Sequence, residues 1–101
     1  MQPLQSAVAE IMSARDEPNT EAILAAVSRI ARSAFQDPLL ELTYETTSDD
    51  VPDWDSMNHI TLVVEIEAYF DIQFPMAEIE ELRGVGELVQ AIKDRLSLVH
   101  P

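Results

Sequence analysis

The chain has 101 residues, enough for one domain with a single modest hydrophobic core. Hydrophobic residues make up 47% of the composition and charged residues 25%, a balance typical of a globular protein. The absence of cysteine excludes disulfides, thiolate metal sites and a cysteine nucleophile, and it favours a reducing compartment. We find no basic–apolar leader and no apolar run near the ~20 residues of a membrane span, so we expect a soluble, cytoplasmic protein.

The negative charge is concentrated in the middle of the chain. The formal net charge is −13, from 19 acidic and 6 basic residues. Residues 37–82 contain 13 of the acids and no lysine or arginine, so the remainder of the chain is neutral. Such a field repels nucleic acid and anionic membranes and attracts basic protein surfaces. An acidic face kept only for solubility would have the same composition.

The N-terminal part divides into an extension, residues 1–18, and the start of a helical domain that we predict over residues 19–98. The extension has a short helical spacing and is either a short helix or a frayed segment. Helix one is predicted to begin near Asn19 or Thr20, either of which can cap a helix, and to end before Pro38. Its apolar residues fall on one face: Ile23, Leu24, Val27, Ile30, Ala31 and Ala34.

A long acidic connection, residues 37–54, follows helix one. Loops of this length inside a small domain are usually functional or partly structured. Scattered apolar side chains predict that it packs along the bundle: Leu39, Leu40, Leu42, Tyr44, Val51 and Trp54.

Helix two is predicted from about Asp55 to Phe70. At ~100° per residue, one arc forms the core face, and it contains Leu62, Val63, Ile66, Tyr69 and Phe70. A second side of this helix holds Ser56 together with Met57, Ile60, Val64 and Glu67.

The last third of the chain predicts a short helix and a longer one. The short helix three is expected over Met76 to Arg83, with Gly84 as its left-handed C-terminal cap. Helix four is expected from about Gly86 to Leu96. The predicted fold is all-α, a four-helix bundle of three longer helices and one short helix with a long loop between helices one and two.

The pair Asp55-Ser56 stands at the predicted start of helix two. The first turn of a helix has unpaired backbone N–H groups and partial positive charge, so a phosphodiester on Ser56 would be stabilised there. The alternative is that Asp55 or Ser56 simply caps the helix, which is a common role for both residue types.

From about Thr20 to Leu96 the chain resembles the acyl carrier proteins. The resemblance rests on the helix order, on Asp55-Ser56, and on residues 62–72, LVVEIEAYFDI, followed by Phe74-Pro75. It implies that Ser56 carries 4′-phosphopantetheine as a covalent cofactor and that Asp55 is the acidic neighbour read by a phosphopantetheinyl transferase. It also implies that helix two meets acyl-loading and acyl-processing enzymes with basic docking patches. The chain would then be a monomeric carrier of acyl thioesters and not an enzyme.

Several residues depart from the pattern of fatty-acid-synthesis carriers. Those carriers usually have Gly-Ala before the Asp-Ser pair, where this chain has Asp53-Trp54, and they have acids at the positions of Asn58 and Thr61. The departures favour a stand-alone carrier of a specialised lipid, fatty-acid or polyketide-type pathway. We expect Met57, Ile60, Val64 and Glu67 to form its docking flank. An apolar interior with few large aromatic side chains would leave room for an attached acyl chain between helices two, three and four.

Other functions are less well supported by the sequence. His59 lies one helical turn after Ser56, but a hydrolase also needs an orienting acid and oxyanion donors, and no Gly-x-Ser-x-Gly elbow is present. The aspartates near Asp50 lack the glycine and glutamate spacing of an EF-hand, so no metal site and no catalytic residue are predicted. The alternative function is an acidic helical adaptor or nucleic-acid mimic that binds a basic partner without modification.

Overall fold

The computed structural model describes the backbone of residues 19–99 and the side chains of residues 19–97. Four α-helices lie in this part of the chain: α1 (Thr20–Ala34), α2 (Ser56–Phe70), α3 (Met76–Ile79) and α4 (Val85–Val99). Three have 15 residues and α3 has 4, which confirms the predicted all-α bundle of three longer helices and one short helix. The helix considered within residues 1–18 lies outside the described residues.

Helix α1 begins directly after its N-cap residue, Asn19. The side-chain oxygen of Asn19 accepts hydrogen bonds from the backbone N–H groups of Glu21 (2.9 Å) and Ala22 (3.2 Å). This satisfies two of the donors that a helix start leaves unpaired. The buried face packs against both α2 and α4, with Ala26 and Ala31 allowing close approach. After Phe35 the chain turns through Gln36, whose φ of 56° is left-handed.

The connection between α1 and α2 is packed and partly structured, as its length suggested. Leu42, Val51 and Trp54 are buried in the core, while Leu39 is 86% exposed and takes no part in the packing. A short 3₁₀ helix spans Ser48–Asp50. Beside it, Thr47 forms an isolated antiparallel bridge with Gly84.

Helix α2 carries the predicted core face with one exception. Leu62, Val63, Ile66 and Phe70 are buried, with at most 2% of each residue exposed. Tyr69 is half-buried instead, because its hydroxyl lies at the surface and accepts a hydrogen bond from Arg29 over 3.0 Å.

The segment after α2 differs from the sequence prediction. Helix α3 ends at Ile79, not Arg83, and tight turns then carry Leu82 into the core. Gly84 does not cap this helix, since no glycine here has a positive φ; it pairs with Thr47, and α4 begins directly after it at Val85. The expected C-terminal cap was wrong because the bridge to the long connection, and not a helix end, sets the backbone at this glycine.

The core contains more aromatic side chains than the sequence interpretation assumed. Phe35, Trp54, Phe70 and Phe74 are all buried among the aliphatic residues.

None of the helices in the described region is long and apolar enough to cross a membrane.

Candidate functional site

Ser56 is the first residue of α2, and it is exposed. Asp55 is the N-cap: its Oδ1 accepts a hydrogen bond from the N–H of Asn58 (2.8 Å), and its carbonyl accepts from the N–H of His59 (2.8 Å). The N–H groups of Ser56 and Met57 lie at the open end of the helix, before the first intrahelical bond. Together with the helix dipole, they suit an anionic group attached to the Ser56 hydroxyl.

The segment before Ser56 is anchored at two points. Trp54 is buried, and its backbone N–H donates to the carbonyl of Val51 over 2.9 Å. The side-chain amide of Asn58 donates to the carbonyl of Asp53 over 2.8 Å. The first bond fixes the chain before Ser56, and the second links that chain to the first turn of α2. This role of Asn58 was not predicted from the sequence, although short amide side chains commonly bond to nearby backbone.

A buried hydrogen-bond chain lies one helical turn below Ser56. The indole N–H of Trp54 donates to Nδ1 of His59 over 2.9 Å, and Nε2 of His59 lies 2.8 Å from the carbonyl oxygen of Ile79. Because an indole N–H only donates and a carbonyl only accepts, His59 is the neutral tautomer with its proton on Nε2. Both ring nitrogens are occupied, so His59 is unable to act as a base for Ser56. His59 is therefore a buried, hydrogen-bonded residue of the core.

The predicted docking flank is partly exposed and partly structural. Met57 is 78% exposed, Ile60 42% and Val64 54%, so these three apolar side chains share an open side of α2. Glu67 is half-buried, and its Oε2 accepts a hydrogen bond from the N–H of Phe74 over 2.9 Å. Glu67 therefore supports the turn after α2 in addition to carrying charge.

Three arginines of the described region donate to partners outside the first turn of α2. Arg32 donates to the carbonyl of Leu40, and Arg83 donates to the carbonyl of Glu80. Arg95 pairs with Glu78 and lies over the ring of Phe74 at 5.4 Å. Asp53 and Asp55 are exposed, and residues 37–82 contain no lysine or arginine, so the sequence on both sides of Ser56 carries only negative charge.

Comparison with known proteins assigns this arrangement to a family. Residues 21–92 match the family described as the phosphopantetheine attachment site. This range includes Ser56, the long connection before it and helix α2. The chain belongs to this family. The carrier is also similar to the holo acyl carrier protein from Geobacter metallireducens, known from a solution NMR structure. The two share 35% sequence identity over 77% of this chain and 92% of that chain, with a TM-score of 0.69.

Family membership establishes the coarse function of the carrier. It uses covalently bound 4′-phosphopantetheine, it is a carrier and not itself an enzyme, and its family interacts with phosphopantetheinyl transferases and acyl-processing enzymes. The start of α2 fits the cofactor, because an exposed hydroxyl there stands beside unpaired N–H groups.

Proposed function

We propose that Ser56 is the residue that carries the 4′-phosphopantetheine arm, with Asp55 as the neighbour read by the transferase. The carrier then holds acyl intermediates as thioesters and presents them to the enzymes of a specialised lipid, fatty-acid or polyketide-type pathway. The observation that carries the proposal is the position of Ser56, exposed at the first residue of a 15-residue helix within the family match.

The other serines of the described region fit the arm less well. Ser28 is buried in α1, and Ser33 lies near the C-terminal end of that helix. Ser48 opens only a three-residue 3₁₀ helix, and Ser97 is in the last turns of α4. A phosphodiester is favoured at a helix N-terminus and disfavoured at a C-terminus, so Ser56 is the serine whose surroundings suit it.

In this proposal the protein supplies placement and the transferase supplies the chemistry. The arm provides the thiol on which acyl groups travel. Asp55 fixes the first turn of α2 through its bond to the Asn58 N–H, and Asn58 fixes the preceding chain. The Ser56 hydroxyl is thereby held outward in a constant position, which a partner enzyme is able to reach without unfolding the site.

We propose Met57, Ile60, Val64 and Glu67 as the docking flank. A partner that receives the arm has to cover the side of α2 that holds Ser56. Exposed apolar side chains at the centre of that contact would supply most of the binding energy, and the surrounding acids would steer a basic patch towards it. Four acids are available for this rim: Asp53, Asp55, Glu67 and Asp71.

The assignment to a specialised pathway is supported by two polar residues of the first turns. Asn58 and Thr61 stand where fatty-acid-synthesis carriers have acids, and here both bond to the backbone: Asn58 to Asp53 and the Thr61 hydroxyl to the carbonyl of Met57 (3.2 Å). The flank therefore offers fewer charges to a partner. We further infer that the carrier acts as a monomer in the cytoplasm. The chain has no cysteine, so no thiol of its own competes with the thiol of the arm.

Intact-mass measurement tests the proposal. The chain is co-expressed with a broad-specificity phosphopantetheinyl transferase, and one added arm is expected on the wild type and on Ser33→Ala, but none on Ser56→Ala. An arm on Ser56→Ala would disprove the site. A wild-type chain that stays unmodified, yet binds a basic protein partner, would favour the acidic adaptor.

A further inference from the structure

We propose that Trp54, His59 and the carbonyl of Ile79 form a closed layer beneath the attachment point, and that this carrier therefore transports short or polar acyl groups outside the bundle. The proposal rests on attachment at Ser56. It replaces the expectation that an acyl chain lies between α2, α3 and α4.

The layer joins four parts of the fold. The Phe35 ring at the end of α1 packs on the Trp54 indole, with ring centroids 6.0 Å apart. The indole donates to His59 of α2 over 2.9 Å, and His59 lies 2.8 Å from the carbonyl of Ile79 at the end of α3. His59 comes three residues after Ser56, so it stands about one helical turn, ~5 Å, deeper along α2. A chain that enters from Ser56 between α2 and α3 meets this layer first.

Opening the layer is unfavourable because the polar atoms of its two side chains have no substitute partners. Trp54 and His59 are each only 5% exposed, so water does not reach the indole N–H or the imidazole nitrogens freely. A methylene chain neither donates nor accepts hydrogen bonds. Its insertion would leave the indole N–H and the two ring nitrogens unsatisfied in an apolar interior, whereas the Ile79 carbonyl would keep its bond from the Leu82 N–H (3.2 Å). This cost offsets part of the free energy gained by burying the acyl chain.

The surface around Ser56 also directs the arm outward. Asp53 and Asp55 are exposed and negatively charged, and the sequence from 37 to 82 has no lysine or arginine to attract the phosphodiester. These acids repel the phosphodiester, so it stays at the N-terminus of α2 and is not drawn further onto the protein. Cargo at the end of such an arm stays in water. A short or polar acyl group tolerates that position, whereas a long alkyl chain exposes apolar surface to solvent.

A series of loaded proteins tests the inference. A permissive transferase attaches acetyl, butyryl and octanoyl arms from the corresponding acyl-coenzyme A, and intact mass verifies each product. We expect the same melting temperature and the same rate of thioester cleavage by hydroxylamine across the series. Trp54 is the one tryptophan of the chain. Its single indole N–H resonance is expected to keep its position with every cargo.

Variants that open the layer provide the contrast. His59→Ala removes the central member, and Trp54→Phe keeps an aromatic ring but removes the donor. In either variant, the octanoyl form is expected to melt higher than the acetyl form and to be cleaved several-fold more slowly. Glu80→Ala, next to Ile79 but exposed and outside the docking flank, is the matched control and should behave as the wild type.

The outcomes separate this inference from the proposed function. A wild-type chain that takes no arm overturns attachment at Ser56. A loaded wild type whose octanoyl form is stabilised and protected, with a shifted Trp54 resonance, overturns only the closed layer. If the opened variants fold and still show no dependence on cargo length, these residues are not what excludes the chain. If neither variant folds, the wild-type series decides.

Discussion

Oε2 of Glu67 accepts a hydrogen bond from the backbone N–H of Phe74 over 2.9 Å, which ties the C-terminal half of α2 to the segment that leads into α3. Hydrogen bonds to a charged acceptor contribute more to stability than neutral ones. Glu67, the one acid of the proposed docking flank, thus also supports the turn after α2.

We predict that Glu67→Ala lowers the free energy of unfolding by about 1–2 kcal/mol, because the Phe74 N–H is left without its partner. Glu65→Ala removes the same charge from an exposed position on α2 and should change stability by less than about 0.5 kcal/mol. Urea unfolding followed by circular dichroism measures both. Equal stability of the two variants would contradict a structural role for Glu67.

Val64 tests the docking flank without disturbing the core, since 54% of the residue is exposed. Val64→Arg should retain the helical circular dichroism of the wild type, accept the arm, and slow acyl transfer to partner enzymes. Ala25→Arg introduces the same charge on an exposed position of α1 and is the matched control. Unfolding of Val64→Arg, or transfer at the wild-type rate, would remove Val64 from the flank.

Asp71 allows charge and stability to be separated. It follows the last residue of α2 with φ 58° and ψ 51°, a left-handed conformation that asparagine also adopts readily. A negative charge near a helix C-terminus is unfavourable, so Asp71→Asn should stabilise the fold by about 0.3–1 kcal/mol. The same change should slow association with a basic partner. Thermal melts would detect the higher stability, and stopped-flow binding would detect the slower association. Faster association would contradict a role for Asp71 in the acidic rim.

Salt should act mainly on the association rate. The rim charges lie at the surface, and the Debye length falls from about 10 Å at 0.1 M to about 3 Å at 1 M ionic strength. We expect the association rate constant to fall with added salt while dissociation changes little. Because Asn58 and Thr61 are uncharged, introducing acids with Asn58→Asp and Thr61→Glu should steepen the salt dependence of the association rate constant. No change in slope would show that these positions lie outside the contact.

The two glycines before and within α4 form a matched pair. A Cβ on Gly86 would stand 2.9 Å from the carbonyl oxygen of Tyr44 and 3.1 Å from its ring, whereas on Gly84 the nearest atom is Glu87 Oε1 at 3.4 Å. Gly86→Ala therefore forces the long connection to move and should cost about 1–3 kcal/mol. Gly84→Ala should be nearly neutral. Differential scanning calorimetry of both variants checks the order.

The helix faces were predictable because each follows one period of the apolar pattern. Ile23, Val27, Leu62 and Ile66 are all buried where the spacing placed them. Local rules of this kind need only the residues of one element, which is why they work from sequence.

What escaped prediction depends on contacts between distant segments. Gly84 was read as a helix cap because glycine often ends helices, but its partner Thr47 lies in the long connection, 37 residues earlier. The pairing of Trp54 with His59 did leave a signal: a buried indole requires an acceptor, and a histidine at the core face five residues later supplies one. Trp54 was expected to pack along the bundle, but no single helical period connects this loop residue to His59 in the helix.

The bridge at Thr47 and Gly84 has a consequence for how the molecule opens. The N–H of Ser48 donates to the carbonyl of Arg83, and the N–H of Val85 donates to the carbonyl of Thr46, each over 2.8 Å. The long connection is thereby divided into two smaller closed loops, and its midpoint is fastened to the start of α4. Local opening proceeds in contiguous cooperative units, so deuterium exchange of the Ser48 and Val85 amides should give one common opening free energy. Release of the connection and fraying of α4 at its N-terminus would then be a single event.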